Sequence, residues 1–213
     1  MTKPDFISSD NKDYAKPEWW EGEYAKCSKD DQYEWFTGSY DDDFINLICS
    51  NIPSHDSKIV HLGCGISRIQ ETLYDKGYHD ITNNDISESC IKLMKDSDTR
   101  GMKWDIVDIL KPLPYDSESF DVALDKGTLD AIILEKADKF DIEDEVYEIS
   151  EKYFSEVSRI LKPGGIFIQI SFGQPHFRRR LFQRDVFNWT VKVETIQPKK
   201  SFHFFAYICQ KNK

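Results

Sequence analysis

The sequence predicts an α/β protein, a mostly parallel sheet with helices on both faces. Three observations predict it. From residue 58 onward, short apolar runs of strand length alternate with segments of helical period, the signature of strand–helix–strand crossovers. The first of these strands runs straight into Gly63-Cys64-Gly65 at the mouth of a helix. Three successive strands then finish on aspartates, Asp85, Asp108 and Asp125. At 213 residues the chain reads as one domain, 1–213, with residues 1–40 as an N-terminal extension.

Residues 1–18 are polar, and residues 19–40 hold Trp19, Trp20, Tyr24, Tyr33, Trp35, Phe36 and Tyr40 outside any core strand. Residues 43–50 form a short helix, Asp43-Phe44-Ile45-Asn46-Leu47-Ile48 at its start, capped by the preceding aspartates. Ile59-Val60-His61-Leu62 is the first strand. The helix after it turns Ile69 and Leu73 inward and closes at Gly77. Residues 80–85 make a second strand, less apolar than usual. Ser87 caps a helix reaching about residue 96, with Ile91 and Met94 inward. Residues 103–108 and 120–125 are the third and fourth strands. Helices follow over 128–135 and 144–161, the second stopped by Lys162-Pro163-Gly164-Gly165. Residues 166–171 are the fifth strand. Strands near 187–196 and 202–210 flank the turn Gln197-Pro198-Lys199-Lys200. No helix-length segment separates them, so they pair as an antiparallel hairpin.

The composition narrows the function. The net charge of −10, from 28 basic against 38 acidic residues, disfavours binding to a phosphate backbone. The five cysteines are odd in number and contain no C-x-x-C pair, so neither a disulfide framework nor a metal site is expected, and a reducing compartment is. The start lacks an apolar targeting segment and no apolar run reaches membrane-spanning length. The expected address is cytoplasmic, with no nucleic-acid or membrane partner.

The glycine turn lets backbone approach a ligand closely, and the helix behind it offers free N–H groups. The dinucleotide fingerprint wants glycine at 68, where Arg68 stands, which argues against a nicotinamide enzyme. Asp85 at a strand end can accept from both hydroxyls of a ribose. Asp108 can reach an adenine amino group, with Ile109 against the base. Any one strand-end aspartate reads equally well as a cap on the next helix. Three in succession behind a glycine turn favour a nucleoside ligand.

Val60-His61-Leu62-Gly63-Cys64-Gly65, Asp85, Asp108 and Arg159-Ile160-Leu161-Lys162-Pro163-Gly164-Gly165 resemble the motifs of seven-β-strand methyltransferases. The resemblance implies a doubly wound, Rossmann-like sheet of order 3-2-1-4-5-7-6 with strand 7 antiparallel. Its implied cofactor is S-adenosyl-L-methionine. A narrower likeness runs from about Trp19 to the C-terminus. It is carried by Trp20 with Tyr24, Tyr33-Glu34-Trp35-Phe36, Leu62 to Ser67, Asp125-Lys126-Gly127-Thr128-Leu129-Asp130-Ala131, Ser155 to Arg159 and Pro175-His176-Phe177-Arg178. These segments resemble the eukaryotic lysine methyltransferases that modify translation elongation factor 1-alpha, including the endothelin-converting-enzyme-associated type. Related enzymes modify citrate synthase. The resemblance implies that the extension is a cofactor lid, with Trp20, Tyr24 and Trp35 closing over the site. It further implies Gly63 and Gly65 beneath the ligand, Asp85 with Ile86 at ribose and adenine edges, Asp108 with Ile109 at the adenine, and Lys126 from the fourth loop. The sequence departs from the wider family at His61, where many members carry an acid, and at Ser67, often glycine. His61 reads as a satisfied core histidine rather than a base.

Methyl transfer from a sulfonium is an in-line displacement in which the protein supplies alignment and excludes water. A lysine with an ordinary pKa of about 10.4 is roughly 0.1% neutral near pH 7.4; a nearby sulfonium and a drier site lower that pKa, leaving the site to guide and orient the amine while the proton departs to water. Asp125 and Asp130 are the candidates to guide the amine, and Trp35 with Phe36 to wall its channel by cation–π attraction. His176, Phe177 and Arg178 are candidates to meet a protein substrate. Arg178-Arg179-Arg180 also reads as a solvated helix face, and the acidic stretch Glu135 to Glu151 as an exposed helix. The leading expectation is methylation of a lysine side chain in a protein substrate such as elongation factor 1-alpha. The alternatives are a small-molecule methyltransferase and a methyltransferase-like binding module without turnover.

Overall fold

The computed structural model describes residues 6–36, 42–137, 144–197 and 203–213. Seven strands form one sheet: β1 (Ile59–Leu62), β2 (Ile81–Asp85), β3 (Lys103–Ile106), β4 (Phe120–Lys126), β5 (Leu161–Ser171), β6 (Trp189–Ile196) and β7 (Phe204–Lys211). Their order is β3-β2-β1-β4-β5-β7-β6. The first five run parallel, with Leu62 level with Asn84 on one side and Asp125 on the other. β7 is antiparallel to both β5 and β6, as the missing crossover required.

The helices are α1 (Pro17–Tyr24), α2 (Asp42–Ser50), α3 (Ile69–Asp75), α4 (Glu88–Ser97), α5 (Thr128–Ala137), α6 (Asp144–Ile160) and α7 (Pro175–Phe182). Alternation along the central strands feeds two apolar layers. Ile59, Val122, Leu124, Ile168 and Ile170 pack with residues of α2, α3 and α4. Val60, Leu62, Ala123 and Phe167 pack with residues of α5, α6 and α7. Ser87 caps α4 as expected, its Oγ accepting from Cys90 N at 3.0 Å. The aspartate cap before α2, Tyr40 and most of the turn after Gln197 lie outside the described residues, as does part of the acidic stretch.

β2 is fully buried despite its polar sequence, because its side chains tether the loops around it. Asn84 Oδ1 accepts from Gly63 N at 3.2 Å, and its Nδ2 donates to Tyr115 Oη at 3.1 Å. Asn83 Nδ2 donates to Lys103 O at 3.3 Å. The strand's polarity is thus what fixes the glycine turn after β1.

Two boundaries differ from the sequence expectation in ways that bear on the site. β3 ends at Ile106, so Asp108 stands in the following loop, where its Oδ1 accepts from Leu110 N at 3.0 Å. β5 begins at Leu161, opposite Phe120, and carries Pro163-Gly164-Gly165 inside it through a register shift between Phe120 and Val122. Proline tolerates such a bulge. A Cβ on Gly165 would come within 2.8 Å of Lys162 O, so the bulge demands glycine.

Candidate active site

The carboxyl ends of β1, β2 and β4 surround a cavity that the N-terminal extension covers, the position at which open α/β sheets hold ligands. Its floor is the turn Gly63–Ser67. Gly63 and Gly65 adopt φ +66° and +51°, and side chains there would collide with neighbours. A Cβ on Gly63 would collide with the Thr128 side chain, and one on Gly65 would meet Tyr24 Oη at 2.7 Å. Glycine therefore lets β4's loop and the lid close onto the same turn.

Asp85 organises the wall. Its Oδ2 accepts from Gly65 N at 2.9 Å and its Oδ1 from Ser87 N at 3.0 Å. Burial raises its pKa, opposed by these backbone N–H groups. Each carboxylate oxygen keeps a further lone pair, and the residue lines the cavity. Ile86, Val107 and Ile109 add an apolar slot, with Asp108 at its edge.

The lid is an aromatic cluster. Trp20 stacks on Tyr24 with ring centroids 5.7 Å apart, and Trp35 lies 5.1 Å from Tyr14 and 5.9 Å from Trp20. Two lid glutamates fasten it. Glu21 accepts from Ser87 Oγ at 2.6 Å and Ser89 N at 3.2 Å, at the start of α4. Glu34 accepts from Ser67 Oγ at 2.8 Å and Arg68 N at 3.0 Å, at the start of α3. Acids at helix N-termini satisfy free N–H groups and complement the dipole. Glu34 also pairs with Lys126 Nζ at 2.7 Å.

The structure brings all ten expected cofactor residues to this cavity: Trp20, Tyr24, Trp35, Gly63, Gly65, Asp85, Ile86, Asp108, Ile109 and Lys126. Asp125 and Asp130 are not among its lining residues. Asp125 faces inward and caps α5, accepting from Thr128 N at 2.8 Å, Tyr153 Oη at 3.1 Å and Gln169 Nε2 at 3.2 Å. Asp130 accepts from Ser171 Oγ at 2.8 Å and Phe172 N at 2.9 Å, and pairs with Arg178. Phe36 is fully buried and stacks on Phe172 at 4.3 Å, so it braces the lid rather than walling the cavity. Arg178 is buried, whereas His176, Arg179 and Arg180 are exposed. A solvated face describes only part of that run.

His61 is buried, and desolvation, reinforced by Lys126, pushes its pKa down to about 3. It is a core residue rather than an exposed base, but not the satisfied one expected, because neither ring nitrogen has a hydrogen-bond partner among the described residues. Cys64 and Cys90 lie beside Asp85, with donor atoms within 4.8 Å of one another. Burial raises both thiols, which keeps them protonated next to a carboxylate already engaged by the loop. Glu21 and Glu34 join the site without having been expected from the sequence. Their only local signal is a position among the lid aromatics.

Asp125 gives a stability prediction. Burial raises its pKa to about 6 against an ordinary 3.8, despite its donors. The folded protein therefore holds this proton more tightly than the unfolded chain does. Asp125's contribution to the unfolding free energy falls as pH rises from about 4 to about 6, by about 3 kcal/mol, and levels off above. In urea titrations from pH 4 to 7, the difference between wild type and the non-titrating Asp125→Asn should shrink by that amount. Parallel curves would refute the assignment.

A glycine turn, a buried carboxylate and an apolar slot thus meet at the carboxyl edge of this sheet, where open α/β folds hold their ligands. A family model for a methyltransferase domain matches residues 53–204, and the chain belongs to that family. EEF1A lysine methyltransferase 4 of Mus musculus is 30% identical over 214 residues, covering 99% of this chain and 81% of that protein. Its Bos taurus counterpart is 31% identical over 202 residues, covering 94% and 77%. The crystal structure of a SAM-dependent methyltransferase from Methanosarcina mazei superposes with a TM-score of 0.56 at 18% identity, covering 78% of this chain and 97% of that one.

Proposed function

We propose that this protein transfers a methyl group from S-adenosyl-L-methionine to a lysine side chain of a protein substrate, with translation elongation factor 1-alpha as the target. The observation that carries the reading is the 30% identity to the mouse EEF1A lysine methyltransferase 4 along 99% of this chain. The cavity fits the donor. Asp85 suits the ribose, Ile86, Asp108 and Ile109 the adenine, and the glycine turn the amino-acid end. The cofactor supplies an already activated methyl group, so the protein's work is alignment and exclusion of water.

In this reading the lid excludes water and Trp35, which reaches the cavity, walls the path of the lysine stem. Asp125 and Asp130 act from behind the reacting groups. They hold both ends of the segment Lys126-Gly127-Thr128-Leu129 through the α5 cap and the Arg178 pair, and are positioning residues. The proposed location is the cytoplasm. No described helix is long and apolar enough to cross a membrane.

The test is incubation with radiolabelled S-adenosyl-L-methionine and purified elongation factor 1-alpha, then gel autoradiography and mapping of the labelled residue. A labelled lysine that vanishes with Asp85→Ala is the expected outcome. Cofactor binding without protein labelling would move the assignment to a small-molecule methyltransferase or a binding module.

A further inference from the structure

The Glu34–Lys126 pair is costly where it stands. Its side chains are 11% and 4% exposed, and burial of two charges offsets much of their attraction. A buried pair of this kind is weak evidence for a stability role. Its place suggests another role. Lys126 and Ser67 line the cavity at the glycine turn, and Glu34 lies between cavity-lining Tyr33 and Trp35. Glu34 accepts hydrogen bonds from Ser67 and Arg68 through one oxygen and is ion-paired with Lys126 through the other. β1 adds no charge here, because His61 is held neutral.

The proposed methyl donor ends in an amino acid, a zwitterion with an ammonium beside a carboxylate. A fixed cation beside a fixed anion at the glycine turn is its electrostatic complement. We infer that Glu34, contributed by the lid, is a cofactor-recognition residue: it receives the ammonium of the donor's amino-acid end while Lys126 receives the carboxylate. The lid then does more than cover the site. It carries one of the two charges that read the ligand, and the same carboxylate caps α3, tying recognition to lid closure. The inference rests on the methyl-donor assignment and adds a residue to it.

The experiment is calorimetric binding of two ligands to the full chain. S-adenosylhomocysteine carries the amino-acid end and 5′-methylthioadenosine lacks it. Wild type should prefer the first by at least about 100-fold, the lower end of what two charge-assisted contacts contribute. Glu34→Gln should cut that preference about ten-fold by weakening S-adenosylhomocysteine alone, leaving 5′-methylthioadenosine within about two-fold. Glu34→Asp keeps the charge but withdraws it, and should shift the preference in the same direction by less. It also serves if the glutamine variant does not fold. Equal losses for both ligands would mean that Glu34 only fastens the lid, and an unchanged preference would remove it from recognition. Either overturns the inference while leaving the donor assignment standing. Failure of wild type to bind either ligand would instead overturn the donor assignment.

Discussion

Asp85→Ala is expected to weaken S-adenosylhomocysteine binding by about 100- to 10,000-fold while the protein still folds. The magnitude follows from two charge-assisted hydrogen bonds to the ligand ribose at about 1.5–3 kcal/mol each. The ligand contacts are only part of the loss. Asp85 also accepts from Gly65 N and Ser87 N, so its removal frees both the glycine turn and the entry to α4. Asp85→Asn should rescue only part of the loss, since its amide oxygen can accept from one of the two backbone N–H groups while its amide nitrogen can accept from neither. Asp108 gives the contrast. Its side chain is 24% exposed and pairs with Lys111 at 3.3 Å, so Asp108→Ala should cost only about ten-fold. Calorimetry on the three variants checks the order. Equal effects of Asp85→Ala and Asp108→Ala would show that Asp85 does not organise the site.

Part of that ordering is legible in the sequence. Gly63, Gly65 and Asp85 are written at fixed offsets from strand ends, and strand ends follow from apolar runs. Local pattern therefore places the glycine turn and the carboxylate beside it, whereas Trp20, Tyr24, Trp35 and Lys126 are reached only through the family resemblance. The sheet's hairpin follows from the lack of a crossover between β6 and β7. What stays hidden is non-local. A glutamate among lid aromatics shows no sign that it will cap a helix more than thirty residues away, as Glu34 does at Arg68. Asp125 shows why an acid at a strand end is ambiguous. A carboxylate there can face the ligand or turn back to cap the following helix, and only the positions of Tyr153 and Gln169 decide. The Pro-Gly-Gly stretch is a breaker in sequence, yet β5 absorbs it because Phe120 is there to pair with Leu161.

Arg178 lies in the same gap between local pattern and tertiary context, and its prediction is the larger one for stability. Three consecutive arginines look interchangeable, but only the first is buried, 6% exposed against a 9% exposed Asp130. Its guanidinium also lies where a Cβ on Gly173 would meet Nε at 2.5 Å, so the turn after β5 is shaped around it. Arg178→Ala strands a buried carboxylate that Ser171 and Phe172 satisfy only in part. Stranding one member of a buried pair costs about 3–5 kcal/mol, and at about 2–4 °C per kcal/mol for a domain of this size the melting temperature should fall by roughly 10 °C. Arg179→Ala and Arg180→Ala, on the exposed face, should stay within about 0.5 kcal/mol of wild type. The effect on function should be uneven. Arg178 is not a lining residue of the cavity, so the folded variant should keep its cofactor affinity. Turnover should fall, because Asp130 also holds Phe172 N, and Phe172 stacks on Phe36 beneath the lid. Thermal unfolding of the three alanine variants, with calorimetry below the transition, separates these claims. Equal melting temperatures across the run would mean that Asp130 finds its compensation elsewhere, and that α5 and α7 are held by their apolar contacts alone.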